Sequence, residues 1–261
     1  MTTVNASLST SRTGSPQSCT ANVTADAASS PTAVATAPRQ PVGCPPDAPV
    51  MYHVVEAIRS LRRTGASGRI FALETGTIRS YNEKHESTRH ISAALAPLGH
   101  LISVDCNPES IRISRDICKD APNVTWVESE SIPFLEGAPD LPLSFALLDS
   151  ANEEQLIMEE FTLVAPMMLT GGILMVDDAG VRTDKRGYDS SQAEKGHAVW
   201  RFLESCGASY EVLETPHGHG TQIKVPFDEE NAAIISRALR QTAATPGLAG
   251  GAPAETHKGR L

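Results

Sequence analysis

The chain has 261 residues, a formal net charge of −9 and 5% aromatic residues. No block of Lys or Arg lines a predicted face, which argues against nucleic acid and against an anionic membrane surface as partners. The five cysteines (Cys19, Cys44, Cys106, Cys118, Cys206) show no CxxC spacing, so neither a disulfide framework nor a zinc site is indicated.

Residues 1–48 are rich in Ser, Thr, Ala and Pro and bury too few large apolar side chains to offset chain entropy, so they read as a disordered tail. They contain no apolar core of a secretory signal. Few acids beside Arg12 and Arg39 leave organelle targeting open as an alternative to a cytoplasmic location. Residues 49–242 form the expected folded domain, and 243–261 a second disordered tail. Apolar residues at helical spacing predict a helix over Val54–Leu61. A first strand follows at Ile70–Glu74. Ser87 or Thr88 is positioned to cap a helix through Leu95, which Pro97 and Gly99 end. The second strand is Leu101–Asp105. Asn107-Pro108-Glu109 starts the next helix with a capping side chain, a first-turn proline and an acid at the positive dipole end. That helix runs to about Lys119. Strands at Val124–Val127 and Phe145–Asp149 precede a helix over Glu153–Leu169, closed by Gly171-Gly172. The fifth strand is Ile173–Val176, and Gln192–Ser205 is helical. Tyr210–Leu213 and Thr221–Val225 flank a Gly-rich turn as an antiparallel hairpin, and Asp228–Arg240 is the last helix. The alternation predicts an α/β fold, a doubly wound Rossmann-like sheet that is mostly parallel with an antiparallel C-terminal hairpin.

Four predicted strands end in acid: Glu74, Asp105, Asp149 and the pair Asp177-Asp178. Ligands of open α/β sheets sit beyond the carboxyl ends of the strands, and Asp105 stands where such folds grip a ribose. A dinucleotide is disfavoured. After the first strand only Gly76 is present of the G-x-G-x-x-G that lets backbone approach a pyrophosphate, and no Tyr is followed four residues later by Lys. A cofactor with adenosine but no phosphate fits better.

Glu74-Thr75-Gly76-Thr77, Val104-Asp105, Leu147-Leu148-Asp149-Ser150 and Gly171–Asp178 resemble the class I S-adenosylmethionine-dependent methyltransferases, over roughly Arg69 to Val225. Within that superfamily the chain is most similar to the small-molecule O-methyltransferases that include the catechol and caffeoyl-CoA enzymes. The resemblance implies a seven-stranded sheet. It places Glu74 and Gly76, with Thr77, against the methionine part of the cofactor, Asp105 with Cys106 at the ribose, and Glu128-Ser129 near the adenine. It also implies Mg²⁺ held by Asp149, Asp177 and Asp178, although an Asp-Asp pair stands where the metal-dependent branch has Asp-Asn. Three carboxylates suit a hard cation, which would hold a substrate hydroxyl and lower its pKa. The alternative is that Asp177 or Asp178 caps the following loop and Asp149 only orders the cofactor.

Methyl transfer to a small-molecule acceptor needs alignment and a deprotonated nucleophile. Asp149 and His217 are the catalytic candidates, with His219 and His85 as other loop histidines. The loop Arg79–Glu86, which carries Tyr81, reads as a lid or as an ordinary surface excursion. Met167, Met168 and Met175 read as core or helix-end packing, and Trp126 and Trp200 as core or as acceptor-pocket walls. Lys185–Asp189 stands where family members contact substrate. Oxygen is the expected acceptor atom. A metal-independent N- or C-methyltransferase and a non-catalytic binding or regulatory protein are the competing readings, and a homodimer stays open.

Overall fold

The structure is a computed structural model that describes residues 50–63, 69–81, 86–180, 195–214 and 221–244. The predicted tail 1–48 lies outside these residues, as do His85, Lys185–Asp189 and the Gly-rich turn with His217 and His219.

Alternating apolar runs and helical stripes build a single seven-stranded sheet of order β3-β2-β1-β4-β5-β7-β6. Its strands are β1 (Ile70–Thr75), β2 (Gly99–Asp105), β3 (Val124–Glu128), β4 (Leu143–Leu148), β5 (Met168–Val176), β6 (Glu211–Glu214) and β7 (Thr221–Phe227). The first five pair in parallel. β7 runs antiparallel to both β5 and β6, as the expected hairpin requires.

Successive strand residues point to opposite faces, and both faces are apolar, as a sheet covered on both sides demands. Ala72, Phe145, Leu147, Ile173 and Met175 pack on one side against Val54, Ile58 and Leu61 of α1 (Val50–Arg63) and Ile91 and Leu95 of α2 (Ser87–Leu95). Leu73, Ala146, Leu148, Leu174 and Val176 face the other layer. α3 (Pro108–Ile117) and α4 (Ser131–Gly137) come between β2 and β4 in the chain. The layer facing Leu73 includes Phe161 of α5 (Glu154–Val164), Leu203 of α6 (His197–Cys206) and Ile235 of α7 (Glu229–Ala244). None of the described helices is long and apolar enough to cross a membrane.

Local chemistry corrects several boundaries. α5 ends at Val164, and Ala165–Met167 form one tight 3-10 turn before β5 begins at Met168. Pro166 lacks a backbone N–H and its ring crowds the preceding turn, so the proline stops the helix ahead of the glycines that were expected to close it. Gly171 and Gly172 lie inside β5, where the pairing with β4 shifts register. α4 was not anticipated: no element was expected between the strands at Val124–Val127 and Phe145–Asp149. At α2 the N-cap position is Glu86, without a side-chain cap bond, and Ser87 and Thr88 are buried in the helix. Asn107 does cap α3, its side chain accepting from Glu109 N at 2.9 Å. α7 continues to Ala244, past the expected domain limit at 242, and Asp228 Oδ1 accepts from Asn231 N at 2.8 Å in its first turn.

Candidate active site

The sheet's carboxyl edge is continuous because the residue after each strand keeps one bond to its neighbour. Gly76 N donates to Val104 O, Ser129 N to Asp105 O, Asp149 N to Thr75 O and Asp177 N to Leu148 O, at 2.8 to 3.1 Å. All four acid-tipped strand ends therefore lie along one edge.

A cavity of about 400 Å³ opens over the β1, β2 and β3 part of this edge. Its wall includes Gly76, Val104, Asp105, Cys106, Ser129 and Ser150, with Arg79, Asn107 and the α4 segment Ser131-Ile132 at its sides. Gly76 is required twice over. Its φ is +84°, and a Cβ there would lie 2.3 Å from Asp149 O. The β1 tip can thus touch the β4 tip and open the space above it. Asp105 is held by two backbone donors, Thr77 N to Oδ2 at 3.1 Å and Asn107 N to Oδ1 at 2.8 Å. Each carboxylate oxygen keeps further acceptor capacity for a ligand hydroxyl. Arg79, at the cavity wall, donates to Ser150 O at 2.9 Å and Asp149 O at 3.3 Å, which brings a guanidinium to the rim.

Two of the expected contact residues lie beneath the cavity instead of in its wall. Glu74 is fully buried, and its Oε2 accepts from Thr88 Oγ1 at 2.8 Å and Ser103 Oγ at 2.9 Å. Burial pushes its carboxyl up to about 7, against the hydroxyls that favour the ion, and its Oε1 has no hydrogen-bond partner among the described residues. Thr77 donates to Ser114 Oγ at 2.8 Å and lies 2.9 Å from Thr88 Oγ1. These residues tie α2, α3, β1 and β2 together under the site. Glu128 is exposed outside the cavity wall. Trp126 donates to Ser114 Oγ at 3.0 Å and Trp200 to Tyr210 OH at 3.0 Å, so neither indole N–H faces the cavity. Met167 and Met175 are buried core, and Met168 packs against the cluster that holds Met167.

The β4 and β5 end is organised differently. Asp149, Asp177 and Asp178 do come together, but Lys195 stands among them. Its Nζ donates to Asp149 Oδ1 and lies 3.6 Å from Asp178 Oδ2, with the side chain only 3% exposed. Asp177 Oδ1 accepts from Gln222 Nε2 at 2.8 Å on β7. Burial raises Asp177 and Asp149, and mutual repulsion among the acids adds to it, while Lys195 opposes both. For Lys195 burial works toward the neutral amine, but the three carboxylates outweigh it and raise its pKa. Among the described residues no three His, Cys, Asp or Glu side chains converge in a metal-holding arrangement. The Mg²⁺ set expected from the sequence therefore does not fit these side chains as they stand: an ammonium takes up Asp149 and Asp178, and an amide engages Asp177.

Sequence reasoning passed over Lys195 and Glu160. Glu160 is buried on α5 within the apolar stripe Ile157, Phe161, Val164, and accepts from Thr75 Oγ1 at 2.8 Å. Burial raises its pKa, opposed by the hydroxyls of Ser131, Ser150 and Thr75. An acid inside a helix's apolar stripe was the available signal. Lys195-Gly196 ahead of α6 carried a weaker one.

Comparison with known proteins supplies the remaining evidence. No family model and no curated relative matches the chain. Among solved structures, a candidate O-methyltransferase from Klebsiella pneumoniae aligns at 17% identity and a TM-score of 0.50, covering 68% of this chain and 80% of that one. A Corynebacterium glutamicum protein aligns at 16% identity and 0.50, covering 68% and 81%. The O-methyltransferase from Bacillus cereus, solved with S-adenosylhomocysteine, aligns at 17% and 0.49, covering 66% and 80%. The chain shares the fold of the Klebsiella pneumoniae and Corynebacterium glutamicum structures. At such identities the likeness is one of architecture, and the chain's chemistry must be argued from its own residues.

Proposed function

We propose that the chain is an S-adenosylmethionine-dependent methyltransferase acting on a small molecule, at a hydroxyl oxygen. The observation that carries this reading is Asp105, oriented by Thr77 N and Asn107 N at the wall of the cavity that Gly76 opens. A carboxylate fixed in this way accepts from the two vicinal hydroxyls of a ribose. The volume suits a nucleoside-sized ligand. We assign Ser129 and Ile132, in the same wall, to the adenine. Oxygen as the methyl acceptor is supported by the kind of protein that shares the fold, such as the Klebsiella pneumoniae protein.

The chemistry asks the protein for alignment more than for covalent help. The sulfonium carries its own electrophilic methyl, and an in-line displacement breaks the sulfur–carbon bond as the acceptor's lone pair forms the new one. Holding the partners in line can supply about 7–11 kcal/mol of the barrier in the best intramolecular cases. The rigid strand ends do that holding. The acceptor proton must leave to a base: His217, His219 and His85 lie outside the described residues, and Asp149, the other catalytic candidate, is bonded to Lys195.

Calorimetric titration with S-adenosylmethionine tests the reading. Saturable binding that Asp105→Ala weakens, together with transfer of labelled methyl to a small molecule in cell extract, is the expected result. No heat at high micromolar ligand would leave a non-catalytic binding or regulatory protein.

A further inference from the structure

We infer that Lys195 is a tethered cation standing in for a divalent metal at the β4–β5 edge, so that this carboxylate cluster neither binds nor needs Mg²⁺. The inference goes beyond methyl transfer and does not depend on it.

Three features of the chain build this arrangement. First, Asp149, Asp177 and Asp178 leave adjacent strands at one edge, which places three carboxylates within mutual repulsion. Such a cluster must take up protons or a positive charge. Second, the backbone brings Lys195 to it by close contact. Gly196 N donates to Asp178 O at 2.9 Å, and a Cβ at Gly196 would lie 2.9 Å from Val176 Cγ1 and 3.0 Å from both Ala179 Cα and Asp177 O. Only a residue without a side chain lets the start of α6 lie this close to the β5 exit. Asp178 adopts φ 47° there, an unusual conformation for a non-glycine residue, which turns the chain under Lys195. Third, the ammonium is committed. With the side chain 3% exposed and bonded to Asp149, Lys195 occupies the space between Asp149 and Asp178 that a shared ion would fill. A buried lysine is rarely tolerated without such partners.

Mn²⁺ binding measured by electron paramagnetic resonance on the full, EDTA-dialysed chain tests this, with Lys195→Met, Lys195→Gln and Lys195→Arg beside the parent. The parent and Lys195→Arg, which keep the cation, should leave Mn²⁺ free at millimolar concentration. Removing the charge should open the cluster to the ion, raising Mn²⁺ affinity on the order of tenfold or more, with a melting temperature that Mg²⁺ now raises. Stoichiometric Mn²⁺ binding by the parent overturns the inference, whether or not the variants fold. Folded Met and Gln variants that bind no Mn²⁺ overturn it too, because the lysine would then not be occupying a cation position. S-adenosylmethionine titration of the same preparations reports separately on the methyltransferase reading, so either conclusion can fail alone.

Discussion

The two halves of the carboxyl edge solve one electrostatic problem in different ways. At β1 and β2, Glu74 and Asp105 are held by neutral donors: hydroxyls beneath the sheet for Glu74, backbone N–H groups at the cavity wall for Asp105. At β4 and β5, Asp149 and Asp178 are held by a charge, the Lys195 ammonium. Neutral donors orient a carboxylate and, where it reaches the cavity wall as Asp105 does, leave it able to accept more. A buried ammonium uses the carboxylate up. The first half is thus equipped to grip a ligand, and the second to fix the protein's own geometry.

The sharpest way to break this division is at the point where the halves touch. Gly76→Ala puts a Cβ 2.3 Å from Asp149 O in a backbone conformation that L-residues avoid. The expected cost is roughly 3–5 kcal/mol of stability, with loss of S-adenosylmethionine binding. Denaturant melts and calorimetry measure both. A variant that stays within about 1 kcal/mol of the parent would mean the β1 and β4 tips can separate, and the division with them.

A second test uses pH to ask whether Glu74 truly lacks a charge partner. Its pKa is about 7 in the fold against an ordinary 4.5, so between those values the native state keeps a proton that the unfolded chain releases. Stability from this group is therefore greatest at low pH and falls as pH rises through the window, by up to about 3 kcal/mol. Glu74→Gln cannot ionise, and its stability relative to the parent should rise over the same window. Urea melts at several pH values provide the measurement, and a flat difference would show that the carboxyl has found compensation.

Much of this edge could be read from the chain because its signals are local. An apolar run ending in an acid marks Glu74, Asp105, Asp149 and Asp177 with no knowledge of their neighbours, and the strands fall within two residues of expectation except at β5. There, apolar continuity hid the break that Pro166 imposes. What the chain did not disclose is how each acid is neutralised. Lys195 meets Asp149 across 46 positions of sequence, and Glu74 meets Ser103 across 29. Such partners depend on which strands and loops meet at the same edge, and no spacing rule encodes that. The same physics explains why an expected metal set became a lysine-bridged cluster: the carboxylates were legible, and their counter-charge was not.

Ligand affinity separates the halves next. Asp105→Asn should weaken S-adenosylmethionine by on the order of tenfold, the value of a lost charge-assisted hydrogen bond to the ribose. Asp178→Asn, in the other half, should leave its dissociation constant within roughly twofold. Equal losses at both positions, seen by calorimetry, would erase the distinction between gripping and fixing carboxylates.

The mildest probe uses cysteines that differ in setting. Cys106 is exposed at the cavity wall beside Asp105, whereas Cys118 is buried and its thiol is pushed up to about 12, chiefly by desolvation. Only a thiolate reacts readily with iodoacetamide, so Cys118 should stay unlabelled in the native state and report unfolding when it does react. Cys106 should label freely, and saturating S-adenosylmethionine should slow it by several-fold, because a ligand on Asp105 covers the neighbouring side chain. Peptide mass spectrometry resolves the two sites. Protection at Cys106 with Cys118 silent places the ligand over the β2 tip, in the half held by neutral donors. Unchanged Cys106 labelling while calorimetry still detects binding would move the ligand away from Asp105, and the gripping half would have to be sought elsewhere on the edge.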